Sequence, residues 1–150
     1  MKARLHERGS SLPETALVLA ACLAMLFGII DFGRALYTYS FVGQVAREGA
    51  RWAIVRGSQC SVLDHCNATK DDIQTYVRSL SEGATLPSNI QVTNATWNQC
   101  PAGSSGNAPG CTLTVTVKYP FSFMLPFLPT TGGTLMTLQM VSSAQMVVSQ

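Results

Sequence analysis

Two groups of residues have types and spacings that could do chemistry. The first is Gly9 with Glu14, a glycine followed five places later by a lone carboxylate. The acid stands at the mouth of an uncharged apolar run, Thr15 to Ile30, and a basic flank with Lys2, Arg4 and Arg8 precedes it. Cutting after Gly9 on the basic side would leave Ser10 as a new N-terminus, about one helical turn from Glu14. A bare carboxylate near hydrocarbon costs about 2.5–3.5 kcal/mol on insertion scales. The ammonium of a neighbouring chain would offset that cost only when two helices are staggered by about one turn. Glu14 then acts as a register device for stacking like helices; otherwise it reaches back to the headgroups.

The second group is the cysteines. Cys22 lies inside the apolar run, whereas Cys60, Cys66, Cys100 and Cys111 all follow it. Four cysteines allow three pairings. Cys60–Cys66 and Cys100–Cys111 are favoured, because each pair brackets a polar, loop-like segment. Disulfides persist in oxidising compartments, which places the C-terminal part outside the cytoplasm. The positive flank before the apolar run predicts the same orientation. A zinc site on Cys60, His65 and Cys66 is disfavoured, since adjacent His and Cys is not a usual ligand spacing. No metal and no cofactor is expected.

Catalytic constellations are missing from the readable motifs. The two histidines are His6 in the basic flank and His65 in a loop. There is no nucleophile elbow, phosphate-binding loop, dinucleotide fingerprint or zincin helix. Asp64, Asp71, Asp72 and Glu82 gather near a short helix, where capping explains them. The chain is read as no enzyme. Nor is there a basic patch interleaved with aromatics, so nucleic acid is excluded as a partner.

The elements that must position these residues begin with one long helix. From Thr15 to Ile30 it rises roughly 24 Å, slightly short of a ~30 Å hydrocarbon core. Leu12 and Phe32 close most of the gap. Only 12% of residues are charged, low for a soluble protein. Leu19-Ala20-Ala21-Cys22 has the shape of a lipoprotein signal. The apolar run continues past the cysteine to Ile30, however, and a mature lipoprotein has no reason to keep it. Ordinary signal-peptidase cleavage is disfavoured too, and a single-pass anchor is preferred.

Past the apolar run, Asp31 and Arg34 stand three apart and can pair on one face. The pattern then turns amphipathic. Val42, Ala46, Gly49 and Ala53 make a stripe of small residues, while Ser40, Gln44, Arg47 and Arg51 make a polar ridge and Glu48 can pair with Arg51. The expected divisions are a leader over 1–9, a transmembrane helix over 10–34, its amphipathic continuation over 35–56 and an extracytoplasmic head over 57–150. Gly57 is expected to cap the helix.

In the head, Thr69 to Asp72 reads as a capping box, and Ile73, Tyr76, Val77 and Leu80 give a short helix ending at Gly83. Strand alternation follows, with Ile90, Val92 and Asn94 expected on one face. The clearest period-2 segment sets Leu113, Val115, Val117 and Tyr119 against threonines and Lys118. The last segment places Met136, Leu138, Met140, Ala144, Met146 and Val148 on one side. Three strands with one apolar face need a cover, and the small-residue stripe supplies it. The predicted class is α+β: a long helix packed by a small antiparallel sheet of about three strands, plus one short helix. Cys100 to Cys111 reads as a loop without core residues. Pro120 to Pro129 is apolar but broken by three prolines, so it is expected to be neither helix nor strand. It is either a loop across the core edge or a membrane-proximal or subunit-docking patch.

The N-terminal block resembles the TadE-like family of minor pilins, or pseudopilins, of the tight-adherence (Flp, type IVc) pilus system. The residues that carry the resemblance are Gly9 with Glu14, the stretch from Phe27 through Asp31 and Arg34 to Leu36, and Ala46-Arg47-Glu48-Gly49-Ala50-Arg51-Trp52-Ala53. The tail is similar as well, in Thr116-Val117-Lys118-Tyr119-Pro120-Phe121 and the glycine pair before the last strand. The resemblance implies cleavage between Gly9 and Ser10 by a prepilin peptidase and a register role for Glu14. It implies insertion into or priming of a filament for surface attachment, with other pilin subunits and the assembly machinery as partners at the bacterial inner membrane. The family more often has an aliphatic before the acid and an aromatic after it, where this chain has Pro13 and Thr15. A bacterial source makes the glycosylation patterns Asn67-Ala68-Thr69 and Asn94-Ala95-Thr96 chance matches. The alternative reading is a membrane-anchored extracytoplasmic binding domain that never polymerises.

Overall fold

The computed structural model describes residues 11–83, 89–104, 106–124 and 137–149. Helix α1 spans Ser11–Ile54, 44 residues without a break. Pro13 sits in its first turn, where a missing N–H has no intrahelical role. Helix α2 spans Lys70–Gly83. Strands β1 (Gln91–Asn98), β2 (Thr112–Ser122) and β3 (Thr137–Val147) form an antiparallel sheet in the order β1-β2-β3. The architecture is α+β, as the patterning predicts.

The core lies between one face of the sheet and the two helices. Val42, Val45, Ala46, Ala50 and Ala53 of α1 are buried against Leu113, Val115, Val117, Met140 and Ala144. Small residues on α1 let the sheet approach the helix axis. Gly49 shows how closely: a Cβ there would lie 3.0 Å from Val77 Cγ2 and 3.6 Å from Ile73 Cγ2. Gly49→Ala gains helix propensity of about 1 kcal/mol but presses two buried β-branched side chains, for which overpacking costs about 1–3 kcal/mol. A net loss of stability is expected in chemical denaturation. Gly43→Ala, with its nearest neighbour Ser142 Oγ at 3.7 Å, should be neutral or stabilising.

The cover is shared, which the patterning did not anticipate. Helix α1 packs on β2 and β3, whereas α2 lies over β1. Ile73 and Val77 of α2 are fully buried, and Tyr76 and Leu80 half-buried. Gln74 fastens α2 to the sheet edge, its side-chain amide donating to the Ile90 carbonyl at 3.0 Å while Val92 N–H donates to its oxygen.

The capping box forms as expected. Thr69 N–H and Oγ1 donate to Asp72 Oδ2 at 2.9 and 2.7 Å, and Asp72 N–H donates back to Thr69 Oγ1 at 3.3 Å. These bonds to Thr69, its hydroxyl first, hold the Asp72 carboxyl below its ordinary value. A depressed folded-state pKa stabilises the fold above the unfolded carboxylate value near 3.9. That contribution is lost as pH falls through the lower folded value. Thr69→Ala should raise the Asp72 midpoint toward the ordinary range, read by NMR titration of its side-chain carboxyl.

Four expectations need correction. Gly57 is buried but does not adopt the left-handed conformation of a C-cap. The helix instead ends at Ile54 through a tighter turn, Arg56 N–H donating to the Ala53 carbonyl at 3.0 Å. Asn94 does not follow Val92 into the core, because the β1–β2 register shifts between them. One extra residue reverses the alternation, so Ala95 opposite Val115 and Trp97 opposite Leu113 pack against the core instead. Pro120 does lie in a strand, paired with Gln139. The β1 ladder ends at Gln91 opposite Lys118, so one flank of β2 is an edge at Pro120, where a strand tolerates proline. Finally, the Cys100–Cys111 loop is not devoid of core residues, since Cys111 is fully buried and Ala108 packs on the cluster.

Met140 and Ala144 of β3, and Val148 just after it, are buried as expected, but Leu138 is 47% exposed. The glycine pair, Met136 and 125–129 of the proline-punctuated segment lie outside the described residues, as do the leader, Gly9 and Ser10.

Candidate functional site

The first 20 residues of α1 form a stem that the head does not cover. From Leu12 to Ile30 every residue is exposed except half-buried Gly28. Leu12, Leu17, Val18, Leu19, Leu23 and Met25 are among the large apolar side chains displayed there. Exposure of this kind in water would cost about 25 cal/mol per Å² of apolar surface. The helix is long and apolar enough to cross a membrane and fits a single-pass anchor. Glu14 is exposed in its first turn and is the acid of that turn. Cys22 is a free, exposed thiol on the stem.

The head begins at Asp31, which is 3% exposed at the end of the apolar run. Its Oδ1 accepts a hydrogen bond from Arg34 Nη1 at 2.8 Å, and its Oδ2 accepts one from the backbone N–H of Met124 at 2.9 Å. The first bond is the i, i+3 pairing that the spacing predicts. The second joins residues 93 apart in sequence, ties the exit of β2 to the stem, and was invisible in local pattern. The Arg34 guanidinium also lies over the Phe121 ring, 5.4 Å from its centroid, and Phe121 meets Phe123 edge-on. Thr38, buried beside them, donates its hydroxyl to the Arg34 carbonyl at 2.8 Å. Burial in this layer raises the Tyr119 pKa, partly offset by the Arg34 charge.

Further along α1 the predicted motif divides between two faces. Gly49 points into the core, while Arg47, Glu48 and Arg51 are exposed. Arg51 and Glu48 stand 4.0 Å apart, a surface pair worth little. Arg47 makes no ion pair or hydrogen bond among the described residues. It lines an open groove of about 430 Å³ with Phe41, Gln44, Val45, Glu48, Arg51 and Leu80.

At the end of the head remote from the stem, Cys60 is bonded to Cys66 and Cys100 to Cys111. Both cysteines of the zinc reading are thus disulfide-bonded, and His65 lies 3.3 Å from Asp72. No group of three or more potential metal-binding side chains occurs among the described residues. Arg56 packs on one side of this end, its guanidinium 4.2 Å from the Trp52 ring centroid, and Trp52 stacks on Tyr76 at 5.0 Å. Burial, then Glu48, raises the Tyr76 pKa. Sequence reading missed this stack; the cue was a tryptophan and an arginine four apart at the end of the long helix.

The structure therefore brings Asp31 and Arg34 together with the end of β2, and sets Glu14 apart at the free end of the stem. No curated protein and no solved structure matches the chain. A family model described as TadE-like protein matches residues 9–51, which takes in the stem, the Asp31–Arg34 junction and the Arg47–Arg51 motif, and over that segment the chain is similar to the TadE-like family.

Proposed function

We propose that this protein is a minor pilin or pseudopilin of a tight-adherence pilus, a structural subunit that enters or primes the filament. The observation that carries the proposal is the stem: an apolar rod standing clear of its own head, with one acid in its first turn. A rod of this kind suits two solvents in turn, first lipid and then the apolar flanks of identical rods. The TadE-like match supports association with the pilus system. In this reading the leader is removed between Gly9 and Ser10 by a prepilin peptidase at the inner membrane. The N-terminus faces the cytoplasm and the disulfide-bonded head lies on the periplasmic side. Transmembrane and amphipathic parts meet near Arg34, and the new ammonium of Ser10 is what Glu14 of an adjacent subunit meets.

Mass spectrometry of the native protein from the membrane fraction tests this. A mature N-terminus at Ser10 is the expected result. An intact Met1 would leave only the anchored, non-polymerising domain, and a lipid-modified Cys22 would favour the lipoprotein.

A further inference from the structure

The apolar surface does not stop where the stem ends. On α1 it continues above Asp31 through Phe32, Leu36, Tyr37 and Tyr39, all more than half exposed. On the sheet it reappears at the same level. The Met124 N–H is bonded to Asp31, so the exit of β2 is held at the height of that residue. Met124 is 72% exposed, and Leu138, which opposes Phe121 at the start of β3, is 47% exposed. Phe123 is half-buried and packs against the core. The opposite end of the sheet is fixed at the far end of α1, where Ser149 N–H donates to the Ile54 carbonyl at 3.2 Å. Met124 and Leu138 thus lie at the stem-side tip of the sheet.

Distances along the helix say what meets that tip. Leu12 to Asp31 rises about 28 Å, close to the ~30 Å of a hydrocarbon core. A bilayer centred on the stem therefore has its outer hydrocarbon boundary at Asp31, and hence at Met124. The next two turns of α1, with Tyr37 and Tyr39, fall in the headgroup layer, where tyrosines concentrate. Arg34 stands at the same boundary, half exposed beside Phe121, able to reach lipid phosphate while its stem stays on apolar surface.

We infer that the stem-side edge of the head, formed by Met124, Leu138 and Phe123 beside Arg34, is a lipid-contact surface. It rests in the outer boundary of the same bilayer that the stem crosses. The head is then held by two contacts, a spanning rod and a wedge, and Asp31 sets their relative height. A head seated this way keeps a fixed tilt to the membrane. The inference rests on the anchor reading of α1 but not on polymerisation or leader cleavage.

The test uses the full chain in vesicles of phosphatidylcholine brominated near the top of its acyl chains, with unbrominated vesicles as reference. Bromine quenches tryptophan emission only by contact. Native Trp52 and Trp97 lie toward the far end of the head and supply a background. Met124→Trp and Leu138→Trp each add emission at exposed positions. That added emission should be blue-shifted and should fall at least about twofold in brominated lipid, as expected of an indole at the interface. The native emission should be unaffected, as should emission added by Val62→Trp, which is 91% exposed in the distal Cys60–Cys66 loop. Phe27→Trp on the stem reports the anchor separately. If Phe27→Trp is quenched but Met124→Trp and Leu138→Trp are not, the head stands clear of the membrane and the inference fails while the anchor holds. If Phe27→Trp is not quenched, the anchor reading fails and takes the inference with it. Quenching of Val62→Trp would mean indiscriminate adsorption and would equally overturn the wedge.

Discussion

Glu14→Ala is expected to be processed and inserted normally and to be missing from filaments. The side chain is exposed in the first turn of a stem whose other residues up to Ile30 are uncharged, so removing it breaks no hydrogen bond or ion pair among the described residues and makes insertion easier. Its effect must come from what it meets outside. An acid in a low-dielectric surrounding is costly unless paired, and a pair between rods forms only at one stagger. Losing it removes the preference for that stagger, and each subunit then adds at random or not at all. Incorporation in sheared pilus fractions should fall by an order of magnitude or more, as a lost register contact of a few kcal/mol implies, with membrane levels unchanged. Glu14→Asp, with a shorter reach, should recover part of it. Normal incorporation of the alanine variant would refute the register role.

Asp31→Ala should be the most damaging single change at the junction. It removes an acceptor that is 4% exposed in its side chain and whose donors include the Met124 N–H and the Arg34 guanidinium. Hydrogen bonds to charged groups contribute about 1.5–3 kcal/mol each. Arg34 is 41% exposed and retains water, so the loss is weighted toward the Met124 bond and should total about 2–4 kcal/mol. That is a large share of the 5–15 kcal/mol of a typical domain. Denaturant titration of the detergent-solubilised chain, followed by Trp97 emission, measures it. Asp31→Asn keeps an acceptor for Met124 and should lose much less, and Arg34→Ala should also cost less than Asp31→Ala. Equal stability of Asp31→Ala and the parent chain would show that the clamp contributes nothing.

Much of this architecture was legible from one dimension because its signals are local. A helix-compatible pattern with no proline after Pro13 gave the long helix, and period-2 threonine and valine gave β2. The threonine and aspartate three apart gave the cap of α2. The disulfide pairs could be chosen because each closes a short polar loop. The stem's character also follows from sequence alone: Thr15 to Ile30 is uncharged, and Glu14 is chemically conspicuous beside it. Gly9 and Ser10 are proposed as a processing site on their types and flank alone.

What needed three dimensions is whatever depends on partners far apart in the chain. The bulge after Val92 turned Ala95 and Trp97 inward, because register is set by the neighbouring strand and not by the run itself. Pro120 could join β2 only because β1 had already ended beside it. The helix cover was divided between α1 and α2 by where Ile73 and Val77 met Gly49. Above all, Asp31 looked like half of a helical ion pair, and its second oxygen was committed to a backbone amide 93 residues away. Composition and spacing determined that this chain is a greasy rod with an acid at one end and a stapled head at the other. Only the tertiary fold decided the height at which the head is fastened to the rod, since that height is set by one long-range hydrogen bond and the close packing around it.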